Sequence, residues 1–136
     1  MTTPAPEPVT RGIHHLGLNV GRLEASAAFF TDVLGWRELR RDPDYPAIFV
    51  SDGVVTVTLW GAGEGARSFD FRRNVGLHHV AFGVTSREAL EAVYARIRDA
   101  ADACIEFAPQ QLRDGPAMHM MCFDPSGIRI EFIWPG

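Results

Sequence analysis

Apolar and polar residues alternate in short runs along this chain, and the runs come in two similar series. Over residues 13–20, Leu16, Leu18 and Val20 share one face of an extended strand, and His15, Gly17 and Asn19 share the other. Over 77–84, Val80, Phe82 and Val84 likewise oppose His79, Ala81 and Gly83. After the first strand, Phe30, Val33 and Leu34 keep helical spacing and predict a helix over 23–34 that Gly35 can end. After the second, Thr85 and Glu88 form a capping-box pattern, and Leu90, Val93 and Ile97 trace an apolar stripe. Three strand-like runs follow each helix: 36–40, 47–51 and 54–60 in the first half, 104–108, 118–123 and 128–134 in the second. Turn signals separate them at Asp42-Pro43, Asp52-Gly53, Asp114-Gly115-Pro116 and Asp124-Pro125-Ser126-Gly127.

The two series are copies. Gly12-Ile13-His14-His15-Leu16-Gly17-Leu18-Asn19-Val20 returns 64 residues later as Gly76-Leu77-His78-His79-Val80-Ala81-Phe82-Gly83-Val84, with the glycine, both histidines and the last valine identical. The chain therefore reads as one α+β domain, 1–136, built from two βαβββ modules. Module 1 spans about 12–60 and module 2 about 75–135, joined by a Gly- and Arg-rich linker, 61–74, whose Arg67, Arg72 and Arg73 read as a solvated face.

Composition narrows the partners. With 46% hydrophobic and 22% charged residues and a net charge of −4, the chain is an ordinary globular sequence whose mildly acidic balance argues against nucleic acid or an anionic membrane. No apolar run is long enough to span a bilayer, and the Pro-rich 1–10 lacks the features of a signal peptide. Cys104 and Cys122 have no zinc-like or disulfide spacing, which fits a reducing cytoplasm, and Cys122 reads as a small core residue.

Chemistry gathers on the strand faces turned away from the helices. His15 and His79 occupy equivalent places on the two first strands, and Glu131 lies with Arg129 and Ile133 on the outer face of the last. Small neighbours (Gly17, Ala81, Gly83) are expected to leave open volume there, as a ligand cleft needs. A carboxylate in a cleft is costly unless paired, and a cation shared with two neutral imidazoles supplies the pairing. We therefore expect His15, His79 and Glu131 to bind one divalent metal. Two His and one carboxylate leave coordination positions open, which favours Fe(II) and is compatible with Mn(II) or Zn(II). Parity turns His14 and His78 toward the helices as structural or supporting groups. His119 reads as structural, with a cleft acid or base as the alternative. Thr58, Asn19, Arg129 and His119 are the candidates for substrate contact, and Trp60, Phe82 and Phe132 are assigned to the core.

The repeated 13–20 strand, Leu23-Glu24-Ala25-Ser26-Ala27-Ala28-Phe29-Phe30, Leu34-Gly35, His78-His79-Val80-Ala81-Phe82 and Phe123-Asp124-Pro125-Ser126-Gly127-Ile128-Arg129-Ile130-Glu131 together resemble the vicinal oxygen chelate superfamily, the glyoxalase, bleomycin-resistance and ring-cleaving dioxygenase group. The resemblance covers Gly12 to Trp134. It implies paired βαβββ modules forming an open, barrel-like cleft, ligands at His15, His79 and Glu131, and a homodimer in which the modules sharing a site can come from different chains.

Departures from the family pattern grade the activities. Glyoxalases and related epimerases carry a fourth ligand, Glu or Gln, on the last strand of module 1. Face parity puts Thr58 there, whereas an ungapped comparison puts Val57, and neither is a carboxylate or amide. Fosfomycin-inactivating members carry a basic segment beyond the ligand Glu, which this sequence lacks. Extradiol dioxygenases have a tyrosine where this chain has Met121. The sequence reading is a metal-dependent enzyme acting on a small oxygen-rich substrate, with oxygenase chemistry slightly ahead of lyase or transferase chemistry. The alternative is a non-catalytic protein that sequesters a drug or metabolite.

Overall fold

The computed structural model describes residues 1–136. Module 1 consists of β1 (His15–Val20), α1 (Leu23–Ala28), β2 (Arg37–Asp42), β3 (Ala47–Ser51) and β4 (Thr56–Gly61). Module 2 consists of β5 (Val80–Gly83), α2 (Arg87–Arg98), β6 (Cys104–Gln111), β7 (Met118–Phe123) and β8 (Arg129–Trp134). Each forms a four-stranded mixed sheet, in the orders β1-β4-β3-β2 and β5-β8-β7-β6, and there is no closed barrel. In each sheet the first strand runs parallel to the last and leaves one edge unpaired. Both free edges line one apolar groove of about 330 Å³ that includes Ile13, Leu16, Val54, Val80 and Phe82.

The expected periodicities produce one shared core. Leu16 and Leu18 pair in register with Val57 and Leu59, and Val80 and Phe82 with Ile130 and Phe132, so each sheet turns an apolar face inward. α1 packs on β3 and β4. Its extension also reaches module 2, where the Phe30 ring meets Phe82 at 6.2 Å and the nearby Trp36 meets Phe82 at 5.0 Å.

The expected helix over 23–34 is α-helical only to Ala28 and then opens into a π turn, Phe29–Val33, closed by Leu34 N–H donating to Phe29 O at 3.1 Å. The wider turn places both Phe29 and Phe30 in the core, 2% and 0% exposed, which an ideal helical stripe does not do for adjacent residues. Gly35, at φ +79°, ends the segment as expected. The α2 cap lies one residue beyond the expected Thr85: extended Ser86 accepts the Ala89 N–H at 3.0 Å. No helix is long and apolar enough to cross a membrane.

A buried polar link crosses the modules. Ser26, on α1, is 0% exposed and donates to Asp124 Oδ2 at 2.6 Å. Asp124 Oδ1 accepts the backbone N–H groups of Ser126 and Ile128, which closes the turn before β8. Burial pushes the Asp124 carboxyl above its ordinary pKa, against the pull of these hydrogen bonds.

Candidate functional site

The face of β5, β8 and β7 turned away from the core carries the polar cluster. Ala81 pairs with Glu131 and Gly83 with Ile133, while β7 places Met121 opposite Glu131 and His119 opposite Ile133. His79 precedes β5 by one residue, and its Nε2 lies 3.5 Å from Glu131 Oε1. On the other side, His119 Nδ1 lies 2.6 Å from Glu131 Oε2. The Glu131 and His119 side chains are each 12% exposed, and His79 is 34% exposed. Glu131 is thus held between two imidazoles, with the Phe107 ring against His119 at 5.0 Å.

Both His-His pairs adopt the same arrangement. His78 Nδ1 lies 2.7 Å from His79 Nδ1, and His14 Nδ1 lies 3.0 Å from His15 Nδ1. Each contact occupies Nδ1 and leaves the Nε2 of His15 and of His79 free of a partner imidazole. A neighbour that fixes one ring nitrogen sets the tautomer presented at the other.

His15 itself is exposed on β1. No group of three His, Cys, Asp or Glu side chains within the chain is arranged to hold a metal ion. His15, His79 and Glu131 form no such group within one chain, and β1 and β5 belong to separate sheets. The donor chemistry at His79 and Glu131 still suits a cation. A histidine nitrogen and a carboxylate oxygen that share an ion at about 2.0–2.2 Å lie roughly 3.0–3.5 Å apart, and the observed separation is 3.5 Å.

Register settles the fourth position. Glu131 pairs with Ala81, two residues beyond His79, and Thr58 pairs with Gly17, two residues beyond His15. Thr58, not Val57, is therefore the counterpart of Glu131. Val57 is 0% exposed in the core, whereas the Thr58 hydroxyl accepts the Trp60 indole N–H at 2.9 Å.

Several sequence assignments change. Trp60 is not a core residue: it lies on the His15 face, where its ring meets Tyr45 at 5.2 Å and Phe49 at 5.7 Å. The space expected above Gly17 is filled, since a Cβ there would sit 3.2 Å from Thr58 Oγ1 and 3.5 Å from Trp60 Nε1. Above Gly83 the space is open. Arg129 is not free for a substrate. Its guanidinium makes two 2.8 Å hydrogen bonds to Glu106 and stacks 4.3 Å from the Phe71 ring centroid. That fork holds the Glu106 carboxyl below its ordinary pKa. Asn19 is exposed on the β1 face and lines a polar cavity beside the linker. Sequence reasoning missed Glu106, Phe107 and Phe71; of these, only the apolar spacing of Phe69 and Phe71 inside a polar linker offered a signal.

Comparison with known proteins agrees with this architecture. The family profile of the Glyoxalase/Bleomycin resistance protein/Dioxygenase superfamily matches residues 12–132. A lactoylglutathione lyase of Neisseria meningitidis serogroup A is 31% identical over 128 residues, covering 88% of this chain and 87% of its own. A probable lactoylglutathione lyase of Synechocystis is 28% identical over 132 residues, with 88% and 92% covered. The crystal structure of a glyoxylase/bleomycin resistance protein/dioxygenase domain from Frankia superposes with a TM-score of 0.81 at 27% identity, over 93% of this chain and 99% of that one. The repeated modules, their sheet order and these matches agree: the chain belongs to the glyoxalase/bleomycin resistance protein/dioxygenase superfamily.

Proposed function

We propose that this protein is a metal-dependent, glyoxalase-type enzyme that moves a proton on a small substrate bearing two adjacent oxygens. The observation that carries the reading is Glu131, nearly buried between His79 and His119 on an outer sheet face. In this reading His79 Nε2 and Glu131 Oε1 hold one divalent ion, and the third ligand is His15 of the partner subunit. Unpaired β1 and β5 edges and the exposed apolar Ile13, Val54 and Val75 (74%, 94% and 106% exposed) support a second copy of the chain at this surface.

The ion supplies Lewis-acid polarisation of the adjacent oxygens. The chain supplies the rest. His119 Nδ1 and Glu131 Oε2 share a hydrogen bond, so this pair can take a proton from the substrate and return it. Ala81 and Gly83 keep the sheet surface beside Glu131 low enough for substrate to approach. Thr58, 5% exposed with its hydroxyl engaged by the Trp60 indole, stands where a second carboxylate would make a four-ligand site.

The sequence leaned toward oxygenase chemistry. Two observations favour proton transfer instead: the relatives' names are lyases, and the residue across from Glu131 is Met121, 4% exposed, which carries no proton to give. Fe(II), Mn(II) and Zn(II) all suit the donor set.

Chain mixing with metal analysis tests the reading. Wild type loaded with Mn(II), Fe(II) or Zn(II) is expected to hold one ion per chain, and His79→Ala and Glu131→Ala to hold none. His15→Ala and Glu131→Ala chains, unfolded together and refolded as an equal mixture, should regain about a quarter of the wild-type sites, since one site in each mixed dimer has all its ligands. Zero regain from mixed dimers would place all the ligands in one chain and overturn the shared site. Sub-stoichiometric metal in loaded wild type would overturn the metal reading itself.

A further inference from the structure

A second cavity, of about 520 Å³, lies where β1 turns into α1, between that corner, the linker and the turn before β8. Its polar lining consists of Asn19, Arg22, Arg67, Ser68, Asn74 and Ser126. No aspartate or glutamate lines it, although the chain as a whole carries a net charge of −4. The two arginines are weakly engaged: Arg22 has Asp102 at 3.7 Å with both side chains more than half exposed, and Arg67 has no ion-pair partner. By contrast, Arg41 is committed to Glu24 and Glu38, and Arg129 to Glu106.

The surroundings are fixed. Asn74 Oδ1 accepts the Asp70 N–H at 2.7 Å, which leaves its amide hydrogens as donors. The Ser126 hydroxyl accepts the Arg22 backbone N–H at 3.1 Å and ties the cavity floor to the buried Ser26–Asp124 link. The cavity therefore offers two guanidinium groups and several neutral donors, on a braced floor, in a volume typical of small-molecule sites. Guanidinium groups recognise carboxylate and phosphate oxygens through paired charge-assisted hydrogen bonds.

We propose that this cavity is a binding site for an anionic group, a carboxylate or a phosphate, of a small molecule. Asn19 joins it to the β1 face that carries His15. The two lie four positions apart on the strand, about 13 Å at the rise of an extended chain. An elongated ligand with its anionic end in this cavity would reach the His15 face with its other end. The site stands independently of the metal reading, because none of its residues is a proposed metal ligand.

Calorimetric titration of the metal-free protein at low ionic strength, with inorganic phosphate in one arm and succinate in the other, tests it. Saturable binding is expected in at least one arm, with a Kd of roughly 1 mM or tighter, and the stronger arm identifies the anion. Arg67→Ala should weaken binding about fivefold or more, Arg67→Glu should abolish it, and added salt should weaken it. Arg87→Ala, an exposed arginine on α2, should leave it unchanged. Circular dichroism of each variant confirms the fold, and the Arg67 side chain is itself exposed. No saturable heat in either arm, or equal losses in the Arg67 and Arg87 variants, would overturn the proposal.

Discussion

The link between Ser26 and Asp124 carries a prediction whose sign depends on pH. Replacing Asp124 with alanine removes the acceptor for the Ser126 and Ile128 N–H groups and for the Ser26 hydroxyl, all now beside a residue only 4% exposed. Each buried donor left unmade costs roughly 1–3 kcal/mol, and relief of the carboxylate's desolvation returns part of that. The net loss for Asp124→Ala should be about 3–5 kcal/mol, or a fall in Tm of about 10–17 °C for a domain of this size. Asp124→Asn keeps Oδ1 for both backbone donors and presents an amide N–H to Ser26, so its cost should stay within about 1 kcal/mol at pH 7. Because burial raises the folded-state pKa of Asp124, the folded chain holds this proton more tightly than the unfolded chain does. Its stabilising effect is therefore present at low pH and is lost as pH rises through the folded pKa. Thermal unfolding followed by circular dichroism between pH 4 and 7 would show Asp124→Asn gaining on wild type as pH rises. Equal Tm values for the alanine and asparagine variants, or a wild-type-to-asparagine gap that ignores pH, would refute the reasoning.

Three further outcomes follow from the same geometry. Arg129→Ala should cost about 1–3 kcal/mol in urea unfolding, and Arg129→Lys should recover less than half, since lysine cannot reproduce the fork on Glu106. The Glu106 carboxyl is held below its ordinary pKa, so this pair's contribution exists above the unfolded carboxylate pKa and fades as pH falls; Arg129→Ala should flatten that acid limb. Gly17→Val should displace the Trp60 indole, whose N–H resonance would move in a two-dimensional NMR spectrum, at a cost of about 1–3 kcal/mol. A thiol reagent at pH 8 should label Cys104 in the native protein and Cys122 only after denaturation, because Cys104 is exposed whereas burial pushes the Cys122 thiol up to about 12.

The sequence by itself determined the strands, their inward and outward faces and the two-module organisation. Each of these depends on local periodicity and on a repeat that can be read residue by residue. It also singled out His79 and Glu131, whose outward parity follows from strand alternation alone. Only the tertiary structure decided what those residues meet. His119 reaches Glu131 because β7 pairs with β8 in one register, and the apolar residues on both faces of β7 hid its direction. Arg129 is claimed by Glu106, which lies on β6 at a break in the strand register, between Ile105 and Phe107, that no pattern in the chain announces. Trp60 follows strand parity to the outer face against its own hydrophobicity, because Thr58 and Gly17 provide a hydrogen bond and a bare backbone to receive it. Within one chain His15 stands apart from His79 and Glu131: pairing within each sheet is set by module-level contacts, whereas the relation between two sheet edges depends on packing that the repeat does not encode.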